Sequence, residues 1–328
     1  MRIGASPTKF GAVPKSPEQV TVAVITFVPF QEGYFEERFA ILKLCLASLL
    51  ANTPPPFDLL IYDNGSCREV IEYLTEMQAN GLVQYLVLGG RNVGQVGAWN
   101  FIFGAAPSEY IAYSDSDVYF YPGWLAEEMS VLQAFENVGM VSGLPAMNGF
   151  GMFTRNTLLQ AERDPEIRIE RGQLIPDEWI IDWGQSTGHD PDAFLAQCRQ
   201  IEQVRLTRRG VAAYAVGAHF HFLARAAELR KLTPLPNTRL AGITRTLDER
   251  MDAAGYARLA VARPMVYHLG NVLTDKWRAE AERLDLSAPA LRLPQRRTLS
   301  RRLARSRLGR RLIFEMYRVA SRAMMYAH

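Results

Sequence analysis

Cysteine is scarce in this 328-residue chain, and its three cysteines, Cys45, Cys67 and Cys198, have no metal-ligand spacing. The low, odd number excludes a disulfide framework and a cysteine zinc site, and it predicts reduced thiols in a cytoplasm-like compartment. No apolar run reaches the ~18 residues of a membrane span. The N-terminal stretch MRIGASPTKFGAVPKSP lacks the apolar core of a signal peptide. We therefore expect a cytoplasmic protein.

Charge of either sign is also modest, with a formal net charge of +3, but it is unevenly placed. Residues 291–328 contain eleven arginines and one acidic residue, so the rest of the chain is mildly acidic. Over 298–326 apolar residues recur every four positions, which is typical of a helix on an anionic membrane surface. The alternatives are a helix packed on the body or a homodimer contact. Nucleic acid is disfavoured, because the body is acidic and no binding module is recognised.

Apolar residues make up 48% of the chain, enough for a sizeable core. Between residues 20 and 113, strand and helix patterns alternate, which predicts an α/β fold with a Rossmann-like, mostly parallel sheet flanked by helices. The strands are predicted over 20–27, 57–62, 83–88 and 110–113, and the helices over 35–51, 68–80 and 98–105.

The pattern loosens after Pro122 and predicts a mixed second half. Residues 160–205 are polar and give no clear pattern. Elsewhere strands are predicted over 138–144, 211–223 (one strand or a pair) and 256–267, with helices over 126–136, 224–231 and 247–254. The chain thus divides into a flexible lead-in (1–18), an alternating half (19–124), a mixed half (125–284), and a linker with a basic helical tail (285–328).

Three polar clusters follow predicted strands, at 63–66, 91–100 and 115–117. Ligands of parallel α/β sheets bind at the carboxyl ends of the strands, so we expect one shared site. In the last cluster, Asp115 and Asp117 can hold a divalent cation together, or one can bind the cation and the other a ribose hydroxyl. Such a cation would neutralise a diphosphate leaving group. The alternative is an acidic turn or helix cap.

The other two clusters suit a nucleotide. Asp63 can accept a hydrogen bond from a nucleobase, although an Asx-turn with the following Asn-Gly-Ser explains it equally well. The glycines of 91–100 allow backbone N–H groups to approach a phosphate or ribose. Their spacing matches neither a dinucleotide fingerprint nor a phosphate loop.

The succession VTVAVITF, IYDNGS and RNVGQVGAWNFIFGAAPSEYIAYSDSD resembles the donor half of family 2 glycosyltransferases over residues 19–124. The resemblance implies a GT-A fold, a UDP-, GDP- or dTDP-sugar donor, Mn²⁺ or Mg²⁺, and inversion at the sugar carbon. It implies that Thr26 and Phe27 line the nucleotide, Asp63 meets the base, Asp115 faces the ribose and Asp117 binds the metal. The implied nucleotide-sugar site contains Thr26, Phe27, Asp63, Asn64, Arg91, Asn92, Gly94, Gln95, Asn100, Asp115 and Ser116.

The resemblance is weaker over 125–284, the acceptor half. The family has a Glu-Asp pair opening a helix, then Gly-Tyr, then a strand ending in His. Gly255-Tyr256 and His268 are in place, but the Glu-Asp positions hold Ile243 and Thr244. His268 is a candidate ligand of the metal beside Asp117 and Asp115, the alternative being a hydrogen-bonded histidine at a strand end.

An inverting transferase needs a group that takes a proton from the acceptor hydroxyl. Asp248 is the first candidate, Glu249 the second and Asp252 the third. For Asp248 the competing interpretation is an acid of the first helical turn, which the helix dipole favours.

Four further residues are weaker acceptor candidates. Trp179 and Trp183 can stack on a sugar ring, or simply pack in the core. His219 and His221 are predicted on one face of a strand, where they touch acceptor or phosphate, or form a packed pair.

The sequence therefore predicts an inverting, metal-assisted glycosyltransferase acting on a hydroxyl of a glycan or lipid-linked acceptor, peripheral on the inner face of the cytoplasmic membrane. An inactive nucleotide-sugar-binding scaffold is the alternative, since the Glu-Asp pair is missing. A sugar nucleotidyltransferase is disfavoured, because TFVPFQEGYF after the first strand contains no basic, glycine-rich phosphate loop.

Overall fold

The computed structural model of the chain describes residues 15–240 and 244–284. Most of the predicted lead-in and the whole of the predicted linker and basic tail lie outside these residues. Within them, no helix has the length and apolar character needed to cross a bilayer.

The first half is an alternation of parallel strands and helices. Strands β1 to β4 take the order β3-β2-β1-β4, and every neighbouring pair is parallel. Thr26 lies opposite Asp63, and Ile25 lies opposite Asp115, so three strands end side by side. The elements are β1 Val20–Thr26, α1 Arg38–Asn52, β2 Asp58–Asp63, α2 Arg68–Ala79, β3 Tyr85–Leu88, α3 Gly94–Ala105 and β4 Tyr110–Asp115, with a 3-10 turn at Gly33–Phe35.

The second half extends the same sheet in the order β4-β10-β6-β11-β9-β8-β7. Strand β10 is antiparallel to both of its neighbours, and β12 pairs with β5 in a separate small sheet. The elements are β5 Val118–Phe120, α4 Trp124–Ala134, β6 Val138–Ser142, α5 Arg155–Arg163, β7 Ile167–Gly172, α6 Asp177–Ser186, α7 Pro191–Cys198, β8 Gln203–Arg208, β9 Val211–Tyr214, β10 His221–Arg225, α8 Ala226–Leu232, α9 Arg245–Ala253, β11 Ala257–Val261, β12 Val266–His268 and α10 Asp275–Arg283.

Strand β1 is buried along its whole length because helices cover both faces of the sheet. Val22 and Val24 join one apolar cluster with residues of α1 and α2. Ala23 and Ile25 point the other way and join a second cluster with α3. This two-sided burial explains why the strand has a continuous apolar sequence rather than an alternating one.

The predicted α/β fold, with a parallel first half and a mixed second half, is confirmed. The region 160–205, which gave no pattern, contains the end of α5, all of β7, α6 and α7, and the start of β8. Helix α3 begins at Gly94, four residues before the predicted start, so the glycine-rich segment forms its first turn.

Candidate functional site

The loop after β2 is tied to the start of α3 by two asparagines. Asn64 Nδ2 donates to Asn92 Oδ1 at 3.0 Å, and Asn64 Oδ1 accepts from the Val93 backbone N–H at 2.9 Å. Asn92 Oδ1 also accepts from the Gly94 N–H at 2.7 Å, which satisfies one of the free donors at the helix start. The two loops therefore form one hydrogen-bonded unit.

The third loop joins this unit through Asp115. Gln95 Nε2 donates to Asp115 Oδ1 at 2.8 Å, and the Tyr113 hydroxyl donates to the same oxygen. The three polar clusters that the sequence places at strand ends thus lie together at one edge of the sheet.

Asp63 is fully buried and closes an Asx-turn at the end of β2. Its Oδ2 accepts from the backbone N–H groups of Gly65 and Ser66, both at 3.1 Å. Gly65 has a φ of +94°, and a Cβ there would lie 3.1 Å from the Arg91 carbonyl carbon, so only glycine allows the two loops this close. The turn is the alternative raised by the sequence, and base recognition by Asp63 stays a prediction.

The other residues predicted to bind the donor have different surroundings. Thr26 is buried, and its hydroxyl has no hydrogen-bond partner among the described residues. Phe27 packs edge-on against Phe35, and Arg91 is exposed. Asn100 does not join the cluster, because both ends of its amide bond the Leu235 backbone, at 2.9 and 2.7 Å. Asn100 thus anchors the loop at Leu235, and its implied role in the donor pocket or in supporting it stays a prediction.

Asp117 is buried between two basic side chains. Arg38 Nη1 lies 2.7 Å from Asp117 Oδ2, and His268 Nε2 lies 3.6 Å from the same oxygen. The other oxygen, Oδ1, is buried and has no hydrogen-bond partner in the described part of the chain. Ser116, between the two aspartates, is also buried.

The two aspartates differ in acidity because their neighbours differ. Burial, and then the Asp117 charge, raise the pKa of Asp115 to about 7. Burial opposes ionisation of Asp117 as well, but its contacts with His268 and Arg38 outweigh it and lower the pKa of that carboxyl. At neutral pH Asp117 is thus the firmly charged member of the pair.

These residues offer part of a metal coordination shell. The unpartnered Asp117 Oδ1 and the nearby His268 imidazole are ligand types that Mn²⁺ accepts, and Asp115 lies within the same cluster. No group of three or more His, Cys, Asp or Glu residues with ligand geometry occurs among the described residues. A cation here fits if the donor's phosphates and water complete the shell, as is usual for Mg²⁺ at nucleotide sites.

Asp248 lies in a separate cluster near the start of α9. Its Oδ1 is 2.9 Å from Arg258 Nη2, and its Oδ2 is 3.3 Å from His219 Nδ1. Oδ1 thus lies at ion-pair distance from Arg258 but has no hydrogen-bond partner among the described residues, whereas Oδ2 is hydrogen-bonded to His219. The side chain is only 7% exposed. Glu249 is exposed on the same helix, and Asp252 accepts from the Asn156 backbone N–H at 3.0 Å. The predicted proton-abstracting role of Asp248 or Glu249 stays a prediction.

The predicted pairing of His219 and His221 on one strand face is wrong. Strand β10 begins only at His221, whose Nε2 lies 2.6 Å from Glu128 Oε1 in the core. His219 precedes the strand, packs against the Trp99 ring, and is partly exposed. His221 is therefore a core histidine, and of the two only His219 reaches the surface.

A cleft of about 380 Å³ opens beside His268. Both Trp179 and Trp183 line it, together with the acidic side chains of Glu178 and Asp182. Trp183 also packs on the His268 ring, with the two centroids 5.4 Å apart. Both tryptophans also pack against the apolar core, and their stacking on a sugar ring stays a prediction.

Sequence reasoning missed Arg38 and Arg258. Each is a lone arginine in an otherwise ordinary helix or strand, and only the fold brings it to an aspartate. Ser186, whose Oγ lies 3.2 Å from His268 Nδ1, was missed because it falls in the region without a clear pattern.

Comparison with known proteins gives a family match. Residues 34–181 match the model of glycosyl transferase family 2. An uncharacterized glycosyltransferase of Nostoc sp. is 30% identical over 161 residues, which is 49% of this chain and 47% of that protein. The chain thus spans about half the length of the curated relative that it matches.

Two solved structures show more distant likeness. TarS of S. aureus is 12% identical, with 89% of this chain and 67% of that chain covered and a TM-score of 0.43. A mannosyltransferase of Pyrobaculum calidifontis, solved with GDP-Man and Mn²⁺, is 17% identical, with 76% and 55% covered and a TM-score of 0.41.

Proposed function

The chain belongs to glycosyl transferase family 2 through residues 34–181, and from this premise we propose that it transfers a sugar from a nucleotide-diphosphate sugar to an acceptor hydroxyl. The reaction proceeds with inversion and with the help of a divalent cation. The acceptor is a glycan or a lipid-linked glycan, and the donor is a UDP-, GDP- or dTDP-sugar.

The donor binds at the edge where β1, β2 and β4 end. Asn64, Asn92 and Gln95 hold the three loops in one arrangement before the donor arrives, which lowers the ordering cost of binding. Asp117 and His268 hold the cation, with Asp115 beside them. When bound, the cation stabilises negative charge on the diphosphate leaving group.

The acceptor binds in the cleft beside His268. A sugar ring stacks on Trp183 or Trp179, and the carboxylates of Glu178 and Asp182 accept hydrogen bonds from its hydroxyls. Since His268 lines this cleft and also lies 3.6 Å from Asp117, an acceptor there is next to the donor's diphosphate.

In the transfer, the acceptor oxygen forms a bond to the anomeric carbon while the bond from that carbon to the diphosphate oxygen breaks. The electron pair of the broken bond stays on the diphosphate. The acceptor proton leaves to a base of the protein. Attack from the face opposite the leaving group inverts the configuration.

One observation carries the proposal: Asp117 Oδ1 is a buried carboxylate oxygen without a partner, at the edge where three nucleotide-type loops meet. A buried charged oxygen left unpaired is costly, so such an atom points to a ligand.

The test is a turnover assay with the full chain, Mn²⁺, a panel of UDP-, GDP- and dTDP-sugars, and a glycan acceptor pool. We expect release of nucleoside diphosphate from at least one donor. Asp117→Asn should lower that rate about 10²-fold or more, since several kcal/mol of charge stabilisation is lost. The exposed Asp275→Asn serves as the matched control. Unchanged turnover in Asp117→Asn would refute the assignment.

A second candidate function is a nucleotide-sugar-binding scaffold without catalysis. It is favoured by Thr244, which stands where the family has an acid, and by the burial of Asp248 beside Arg258. Calorimetry separates the two functions. Nucleoside diphosphate binding with no turnover across the donor and acceptor panels would support the scaffold.

A further inference from the structure

Transfer to a hydroxyl needs a group that accepts its proton, and the first-choice carboxylate is poorly placed for this. Asp248 is 7% exposed, and its two oxygens face Arg258 and His219. Arg258 is itself buried and donates to the Gly217 carbonyl at 2.8 Å and the Met152 carbonyl at 3.1 Å. The Arg258 guanidinium, which these two backbone carbonyls hold in place, therefore positions the Asp248 carboxylate on the side away from His219.

His219 stands between this carboxylate and the surface. Its side chain is 36% exposed, which makes it the accessible member of the pair. An ionised carboxylate only accepts hydrogen bonds, so Nδ1 is the donor in the contact with Asp248, and Nε2 is the ring nitrogen that can accept from a hydroxyl. Imidazole in this state is the commonest general base in enzymes.

His219 Nε2 lies beside Thr244, the residue at the sequence position where the family has its acid. Thr244, which occupies that position in the sequence, has its hydroxyl oxygen 3.1 Å from His219 Nε2. The Thr244 hydroxyl thus marks a place where an O–H group meets this nitrogen.

The same histidine adjoins the donor edge of the sheet. The next residue, Phe220, accepts through its carbonyl from the Asp115 backbone N–H at 2.8 Å. The Phe220 ring also packs against the His268 ring, with their centroids 5.6 Å apart. The loop that carries His219 is therefore anchored to Asp115, at the end of β4.

We propose that His219 is the catalytic base of the transfer, with Asp248 as its positioning residue and Arg258 behind it. This inference rests on the proposed function. The acceptor hydroxyl displaces the Thr244 hydroxyl at His219 Nε2 and gives its proton to that nitrogen as its oxygen bonds the anomeric carbon. The bond to the diphosphate breaks, and the resulting imidazolium is balanced by the Asp248 carboxylate. In this proposal His219, rather than Asp248, takes the proton.

The test uses the full chain with Mn²⁺, the acceptor pool, and whichever sugar nucleotide of the panel the wild type turns over. His219→Ala should lower kcat by about 10²- to 10⁴-fold, the range of general-base catalysis. The Kd of the matching nucleoside diphosphate, measured by calorimetry, should stay within about twofold of wild type, since the base does not bind the donor. Added free imidazole should restore part of the lost rate to His219→Ala.

Two further variants separate chemistry from structure. His219→Gln fills the same space without a basic nitrogen and should lose kcat to the same extent, while His189→Ala, at an exposed histidine, should not change it. Asp248→Asn should lower kcat and leave the donor KM unchanged, as expected of a residue that acts only through the imidazole.

The outcomes are distinguishable. No turnover by the wild type with any donor overturns the proposed function and this inference together. Wild-type turnover that persists within about threefold in His219→Ala, or a loss that free imidazole does not restore, overturns only the assignment of His219.

Discussion

At the scale of single residues, the two oxygens of the Asp117 carboxylate have different surroundings. Arg38 and His268 lie on the Oδ2 side, and Oδ1 is without a partner among the described residues. In the proposed function a divalent cation would share this carboxylate with the Arg38 guanidinium. Arg38 helps to keep Asp117 ionised, and it would also compete with the cation.

Arg38→Met should therefore increase the response to metal. Without Mn²⁺ the variant should be less stable by about 3 kcal/mol, because a buried carboxylate loses its ion-pair partner. On addition of Mn²⁺ its Tm should rise more than that of wild type, since binding to the folded state stabilises it.

Thermal unfolding with and without Mn²⁺ measures both effects. Arg263→Met, at an exposed arginine 3.3 Å from Glu127, is the matched control. Equal Mn²⁺-induced Tm shifts in Arg38→Met and wild type would show that Arg38 and the metal do not compete.

At the scale of elements, strand β10 joins the first half of the sheet to the second half. It runs antiparallel between β4 and β6, so the chain that enters it carries His219 to the donor edge and His221 into the core. His221 is fixed to α4 by Glu128, and both side chains are fully buried. The contact between Glu128 and His221 thus connects α4 to β10 inside the core.

Glu128→Gln should flatten the pH dependence of stability. Burial raises the pKa of Glu128 above 4.5, although His221 partly offsets this. The folded state therefore holds the Glu128 proton to higher pH than the unfolded chain does. This group's contribution to stability is then fully present below the unfolded pKa and is lost as pH rises through the folded pKa. Glutamine keeps a hydrogen-bond partner for His221 and does not titrate.

The measurement is Tm between about pH 4.5 and pH 8, the interval above the unfolded pKa of a glutamate. Wild type should lose more stability with rising pH than Glu128→Gln. Glu127→Gln, next in sequence and partly exposed, should follow wild type. Parallel pH profiles for wild type and Glu128→Gln would contradict the expectation.

At the scale of the whole molecule, an acidic body is joined to a basic tail that lies outside the described residues. The arginines of 291–328 and the four-residue apolar repeat of 298–326 favour attachment to an anionic membrane surface. Such attachment would suit a lipid-linked acceptor, because protein and acceptor would then be at the same membrane.

The full chain should therefore sediment with phosphatidylglycerol vesicles and not with phosphatidylcholine vesicles. Replacing Arg305, Arg307, Arg310 and Arg311 with Gln should weaken binding by about 1 kcal/mol for each arginine lost. Equal sedimentation with both vesicle types, or an unchanged affinity of the quadruple variant, would contradict membrane attachment through the tail.

The sequence by itself determined the parallel half of the sheet and the donor edge. Strands buried on both faces are recognisable in the sequence as apolar runs. Because neighbouring parallel strands have their carboxyl ends at the same edge of the sheet, the sequence alone predicts that Asp63, Asn92 and Asp115 lie close together. Only tertiary structure decided which residues complete the site. Arg38 and Thr244 lie 79 and 25 positions in sequence from their partners Asp117 and His219, and no local pattern encodes such a long-range contact. The different positions of His219 and His221 are also set by the tertiary structure. His221 is the first residue of β10 and is buried in the core, whereas His219 precedes the strand and is partly exposed.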